Sequence, residues 1–180
     1  QLKTFKAHGL ERNPWDSAVQ YKTNILDKDR FPAGSGFSAA FHFDIAPGTD
    51  TSSIQAVVER PSLFRVSVNG RSVDPAAGQW WLDKAFGVFP IGPLLAPGRN
   101  TIVLAATPFT IHSELEPVYL RGEFGLEPAA KGFRLIPAVP LSTGSWKSQG
   151  MPFYGQTVDY VKILSLPAVP ASGERYEVAL

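Results

Sequence analysis

Residues 64–73 read FRVSVNGRSV, and this stretch decides the fold. Apolar and polar side chains alternate from residue 64 to residue 68, which is the pattern of a β-strand with one buried face. The dipeptide Asn69-Gly70 follows directly. Both central residues of a type I′ turn need a positive φ, and asparagine and glycine adopt it at little cost. The sequence therefore predicts a tight antiparallel hairpin here.

The same period of two continues on both sides of the hairpin. In FSAAFHFDI (residues 37–45) the aromatic residues and Ile45 share one face, while His42 and Asp44 take the other. Further strands are predicted at residues 54–59, 101–107, 118–124, 133–136, 157–166 and 175–180, and a short helix around residues 16–21. Short strands separated by turn residues are typical of an all-β antiparallel β-sandwich. The alternation assigns these residues to its core: Phe41, Phe43, Val66, Val68, Ile102, Leu104 and Leu120.

Length and composition agree with one such module over residues 1–180. A chain of 180 residues can bury roughly two-thirds of its unfolded surface, enough for a core without staples. The 16 glycines and 16 prolines favour short elements and tight turns. We expect the sandwich core at about residues 37–127, with residues 1–36 and 128–180 as wrapping segments and extra strands.

Charge and motif content exclude several functional classes. The 17 basic and 16 acidic residues form no basic stripe, so we expect no nucleic-acid partner. No apolar run reaches the ~18 residues of a membrane span, so we expect no membrane partner. The absence of cysteine excludes disulfides, zinc–thiolate sites and cysteine nucleophiles. The sequence contains no H-E-x-x-H, P-loop or G-x-S-x-G motif.

Two carboxylate pairs have the spacing of residues on one strand face. Glycoside hydrolysis needs two carboxyl groups about 5–10 Å apart, and either Asp27 with Asp29 or Glu114 with Glu116 would fit. We interpret both pairs as solvated loop and rim charges. His112 has a serine and Glu114 beside it, but adjacency in sequence is not the geometry of a catalytic triad. We expect no catalytic residues.

Aromatic residues are the better candidates for a binding site, because sugars stack their C–H faces on indole and phenol rings. Trp80 and Trp81 are adjacent, so on a regular strand one points inward to the core and the other outward. Gln79 and Asp83 lie close in sequence and can bond sugar hydroxyls. A second group of candidates follows a later strand and loop: Tyr119, Arg121 and His112. The alternative is that these aromatic residues pack the sandwich or its contact with another domain.

Three segments together carry a resemblance to a known family. These are FRVSVNG (64–70), Trp80-Trp81, and PIGPLLAPGRNTIVL (90–104). They resemble the galactose-binding-like jelly rolls of bacterial glycoside hydrolases, namely the sugar-binding domains of family 2 enzymes and the accessory sandwiches of family 106-type rhamnosidases. In the last segment the matching residues are Ile91, Leu94, Leu95, Pro97, Gly98, Asn100, Ile102 and Leu104. Pro97-Gly98 would make a turn whose backbone Asn100 can bond.

The resemblance implies a jelly-roll sandwich that belongs to a longer hydrolase, secreted or periplasmic. Residues 149–154 followed by 157–166 resemble the opening of another such sandwich. Two functions are compatible with it: a non-catalytic carbohydrate-binding module, or a structural accessory domain that packs against the catalytic domain and binds nothing. An independent glycosidase is the third and least favoured hypothesis. No cofactor is required, although such jelly rolls often hold a structural calcium ion. Its candidate oxygen ligands are Asp44, Asp50 and Glu127.

Overall fold

Two facing β-sheets form the centre of the fold. The computed structural model describes residues 1–16, 31–163, 165–166 and 168–177. Ten strands lie within these residues: β1 (Phe37–Ile45), β2 (Gln55–Glu59), β3 (Arg65–Val68), β4 (Arg71–Val73), β5 (Trp80–Trp81), β6 (Asp83–Pro90), β7 (Gly98–Ala106), β8 (Tyr119–Arg121), β9 (Phe124–Pro128) and β10 (Phe133–Pro137). The predicted all-β sandwich is confirmed.

The strands divide between a six-stranded and a four-stranded sheet. We call the first sheet A, with the order β4-β3-β7-β1-β10-β9, and the second sheet B, with the order β5-β6-β2-β8. Neighbours are antiparallel except for β1 and β10, which run parallel with Asp44 opposite Arg134. The prediction of a wholly antiparallel sandwich is therefore wrong at this pair. The β9–β10 hairpin pairs with β1 through β10, which runs in the same direction as β1.

The predicted core is confirmed, and its register follows the alternation. Val66, Val68, Ile102 and Leu104 are buried. The other predicted core residues are partly buried and pack against the same cluster: Phe41, Phe43 and Leu120. Inward side chains from both sheets therefore meet between them, as in other sandwiches.

The predicted hairpin is confirmed in detail. Asn69 has a φ of 50° and Gly70 a φ of 80°, and Val68 pairs with Arg71 across the turn. The adjacent motif is joined to it by side chains. Asn100 is fully buried; its Nδ2 donates to the carbonyl of Ala96 at 2.7 Å, and its Oδ1 accepts from Asn69 Nδ2 at 2.8 Å. The two turns are thus one hydrogen-bonded unit.

A second, smaller apolar cluster covers one end of sheet A. Helix α1 (Leu2–Ala7) places Phe5 against Phe109, with ring centroids 5.8 Å apart. His8 stacks on Phe109 at 4.0 Å and accepts a hydrogen bond from the Gly36 backbone N–H through Nε2. The helix predicted around residues 16–21 lies outside the described residues, apart from Asp16, which ends a short 3₁₀ helix.

Two other strand predictions need correction. The single strand predicted at 118–124 is two strands, because Gly122 breaks it with a φ of 153° and the chain passes from sheet B to sheet A. The strand predicted at 157–166 is wrong: its described residues form no strand. At 175–180, residues 175–177 are irregular and the remainder lies outside the described residues. Among the described helices, none is long and apolar enough to cross a membrane.

Candidate functional site

The outer face of sheet B carries a group of aromatic side chains. Ala56 belongs to the core cluster, so the flanking Gln55 and Val57 of β2 point to the outer face. On β8, Tyr119 lies opposite Val57 and Arg121 opposite Gln55. The same register puts Tyr119 and Arg121 on the outer face as well.

Strands β5 and β6 complete this group from the other side. The Trp81 ring lies 5.6 Å from the Tyr119 ring, and Phe86 lies 6.3 Å from it, measured between centroids. The Arg121 Cζ lies 6.0 Å from the centroid of the Trp81 ring. We call Trp81, Phe86, Tyr119 and Arg121 the aromatic patch.

The aromatic patch covers buried valines of sheet B and also presents exposed surface to solvent. Val57 and Val88 lie opposite each other on the outer face, yet they are 0% and 2% exposed. Side chains on that face must therefore cover them, and the patch rings are the ones that lie beside them. Tyr119 nevertheless keeps 41% of its surface exposed. It is the ring of the patch that is most available for stacking.

The rings are tilted rather than coplanar. Trp81 and Phe86 make angles of 55° and 59° with the Tyr119 ring. A flat sugar ring would therefore stack on one of these rings and meet the edge or tilted face of its neighbour. This shape suits one or two sugar units more than a long flat crystalline surface.

Neither tryptophan of the Trp80-Trp81 pair belongs to the core, so the expectation of one inward ring is wrong. β5 is a two-residue edge strand with an irregular register at these positions. Trp80 is 52% exposed and Trp81 is half-buried in the patch. The next residue, Leu82, has a φ of 65° and forms an exposed tip.

The polar residues predicted near these tryptophans have local roles as well. Asp83 lies opposite Trp81, and its carboxylate accepts the Ala85 backbone N–H at 2.7 Å. Gln79 is exposed, and its backbone N–H closes a turn onto Ala76.

His112 occupies a different environment. Its ring lies 5.2 Å from the Trp15 ring, and it lines a small pocket with the following residues: Glu59, Arg60, Leu63, Glu114 and Glu116. None of the patch residues lines that pocket. The structure therefore separates His112 from the group that contains Tyr119 and Arg121.

The other candidate carboxylates are accounted for as follows. Glu114 accepts hydrogen bonds from Gln1 and Asn13 at 3.0 and 3.2 Å, and Glu116 is exposed. Ser113, between His112 and Glu114, is buried, and its hydroxyl finds no hydrogen-bond partner within the described part of the chain. Asp27 and Asp29 lie outside the described residues.

The calcium candidates each have their own partner. Asp44 pairs with Arg99 at 3.2 Å and raises the pKa of that guanidinium, and Glu127 pairs with Arg134. The Asp50 carboxylate accepts the Ser52 backbone N–H, which lowers its pKa. In the described residues no three His, Cys, Asp or Glu side chains gather as a metal-binding group. As placed, the three candidates do not form one coordination shell.

Asp44 and Glu127 nevertheless share a surface feature that the sequence did not reveal. Both line an open cleft at the end of sheet A, together with Arg134 and three prolines. The register sets Arg99 opposite Asp44, Asp44 opposite Arg134, and Arg134 opposite Glu127. Opposite charges thus alternate across four neighbouring strands, an arrangement that stabilises cross-strand pairing.

No protein-family model, curated protein or solved structure matches this chain. The functional conclusion therefore rests on the aromatic patch and its surroundings. Of the patch residues, Trp81, Tyr119 and Arg121 were sequence candidates, and Phe86 was not. The signal for Phe86 is the spacing of Phe86, Val88 and Pro90, which share the outer face of β6.

Proposed function

We propose that this chain is a non-catalytic carbohydrate-binding module of a larger, secreted or periplasmic glycoside hydrolase. The observation that carries the proposal is the aromatic patch, in which the half-exposed Tyr119 ring lies beside Trp81 and Arg121. An aromatic face with polar groups at its border is the usual chemistry of a sugar site. Such a module raises the local concentration of enzyme on its polysaccharide.

We also propose that the sandwich is a jelly roll of the galactose-binding-like type. The support is the hydrogen bonding between Asn69 and Asn100, because it joins two of the three segments that carry the resemblance. Catalysis would belong to another domain of the same enzyme. The proposed module releases no reducing sugar from polysaccharides on its own.

Affinity electrophoresis against a panel of soluble polysaccharides tests this function. We expect retardation of the wild type by at least one polymer, and loss of most of that retardation in Tyr119→Ala. The matched control is Tyr176→Ala, since Tyr176 is 45% exposed against 41% for Tyr119 and lies outside the patch. Equal retardation of all three proteins would place the site elsewhere, and no retardation by any polymer would contradict the proposal.

A structural accessory domain is the second candidate, and one specific observation favours it. Val161, Ile163 and Val169 are 86%, 92% and 90% exposed. A surface that packs against another domain is a contiguous apolar patch, and we propose that these three side chains form part of one. If no glycan binds, this function replaces the first.

Calcium remains an expectation from the resemblance. Because the candidate carboxylates are engaged with separate partners, we propose a fold that needs no cofactor. Thermal unfolding should be the same in calcium and in EDTA. A rise in Tm with calcium that is lost in Asp44→Asn would establish a structural ion instead.

A further inference from the structure

We infer that the proposed sugar site is specific for anionic glycans, and that Arg121 binds the carboxylate of a hexuronic acid. This inference rests on the proposed function and names its ligand class. Arg121 lies on the edge strand β8 of sheet B, and its side chain is exposed. It is the cationic member of a patch that is otherwise aromatic.

The guanidinium of Arg121 is oriented by Trp81 rather than by a carboxylate. Its Cζ lies 6.0 Å from the Trp81 ring centroid, within the range of a cation–π contact. Arg99, Arg134 and Arg175 each pair with an acidic side chain. Across the described residues, Arg121 makes no such ion pair, so its charge is available to a ligand.

Three acidic residues lie near this charge by sequence or register, and among the described residues none of them forms an ion pair with Arg121. Asp83 lies opposite Trp81 and accepts the Ala85 N–H, Glu59 lies opposite Phe86, and Glu123 follows Gly122 on the chain that leaves β8 for sheet A. The site therefore combines a cation with an exposed phenol ring. Neutral sugars would use the ring and leave the charge without a partner.

A hexuronate uses both groups. Its pyranose C–H face can stack on Tyr119, while its carboxylate accepts two N–H bonds from a guanidinium, a geometry that lysine cannot reproduce. A contact between Arg121 and the Trp81 ring leaves the edge N–H groups of the guanidinium free. Tyr119 and Arg121 are two residues apart on one face of β8, roughly 7 Å along the strand, so one sugar residue can contact both side chains.

The experiment compares polymers that differ only in charge. Binding of wild type to polygalacturonate, and to the same polymer after carboxyl reduction, is measured by isothermal titration calorimetry at fixed salt; alginate serves as a second polyuronate. We expect at least tenfold weaker binding to the reduced polymer. Arg121→Gln should abolish this preference, and Arg121→Lys should restore only part of it. Arg71→Gln, at an exposed arginine on the edge strand β4 of the other sheet, should change nothing.

The outcomes separate this inference from the proposed function. Equal binding of charged and reduced polymer, binding of neutral polysaccharides alone, or an unchanged preference in Arg121→Gln would each overturn the hexuronate inference and leave the module intact. An equal loss in Arg71→Gln would show general electrostatic attraction and would also overturn it. Binding to no polymer of any kind would contradict the proposed function itself.

Discussion

Two segments of this chain are both predicted as strands from their sequence and have opposite outcomes. Residues 37–45 form β1, which lies between β7 and β10 in the middle of sheet A. Residues 157–163 form no strand, and Val161 and Ile163 are almost fully exposed. The contrast shows that residues typical of strands are not sufficient: β1 has one continuous apolar face and a partner strand on each side, and residues 157–163 have neither among the described residues.

The neighbours of β1 explain its stability. All nine of its residues pair with β7, from Phe37 opposite Ala106 to Ile45 opposite Gly98. Its inward residues meet the core of the sandwich. The described residues of the later segment pair with no strand. The four sheet edges are short, with two or three residues in β4, β5 and β8 and five in β9.

The largest expected effect is the loss of stability in Ile45→Ala, which we compare with the same substitution at Ile163. Ile45 is 1% exposed and Ile163 is 92% exposed. Ile45→Ala should lower the free energy of unfolding by about 2–5 kcal/mol, as other large-to-small core changes do. Ile163→Ala should stay within about 0.5 kcal/mol. Urea titration measures both, and a similar loss in the two variants would mean that residues 157–163 are packed like a core strand.

The next effect concerns the turns that hold sheet A in register. Asn100→Ala leaves the Ala96 N–H and carbonyl and the Asn69 amide without their buried partner. Each of these hydrogen bonds contributes about 0.5–1.5 kcal/mol net. Ala96 and Asn69 are exposed, so water replaces part of the lost bonding, and we expect a total loss of about 2–3 kcal/mol. The same urea titration measures it. Asn13→Ala is the control, because it removes side-chain hydrogen bonds outside the two turns. A loss in Asn100→Ala no larger than in this control would contradict a special role of the joined turns.

A smaller effect is expected at the hairpin. Gly70 has a φ of 80° with open space around it, so the cost of Gly70→Val is backbone strain, about 1–3 kcal/mol. Gly34→Val is the control, because Gly34 has equally open space and needs no positive φ. Thermal unfolding compares the two. An unchanged Tm in Gly70→Val would contradict the turn type.

Much of the sandwich was predictable because its strands have one polar and one apolar face. The hairpin at Asn69-Gly70 and the faces of β1 follow from local pattern alone. Strand β6 was missed, since Phe86, Val88 and Phe89 fill both of its faces with apolar residues and the alternation disappears. The sequence pattern places Gly122 inside a strand, because nothing in the pattern shows that this residue adopts a positive φ where the chain changes sheet.

Three of the four patch residues, Trp81, Tyr119 and Arg121, are candidates from the sequence alone, but their grouping is not. Trp81 and Tyr119 are far apart in sequence, and they meet because sheet B has the order β5-β6-β2-β8. That order depends on long-range pairing, which period and propensity do not encode. His112 is closer to Tyr119 in sequence than Trp81 is, yet it packs with Trp15 instead.

The most direct test of the account is to map a bound sugar onto the tryptophan indoles by NMR. The chain has 4 tryptophans, so a ¹⁵N-labelled sample reports each indole N–H while an oligosaccharide of the best-binding polymer is added. We predict that the Trp81 signal shifts together with the Arg121 side-chain signal. The indoles of Trp15 and Trp146 donate to the Ile111 and Ser142 carbonyls, and their signals should stay unchanged. Shifts confined to Trp15 or Trp146, with Trp81 unmoved at saturation, would contradict the assignment of the aromatic patch as the sugar site.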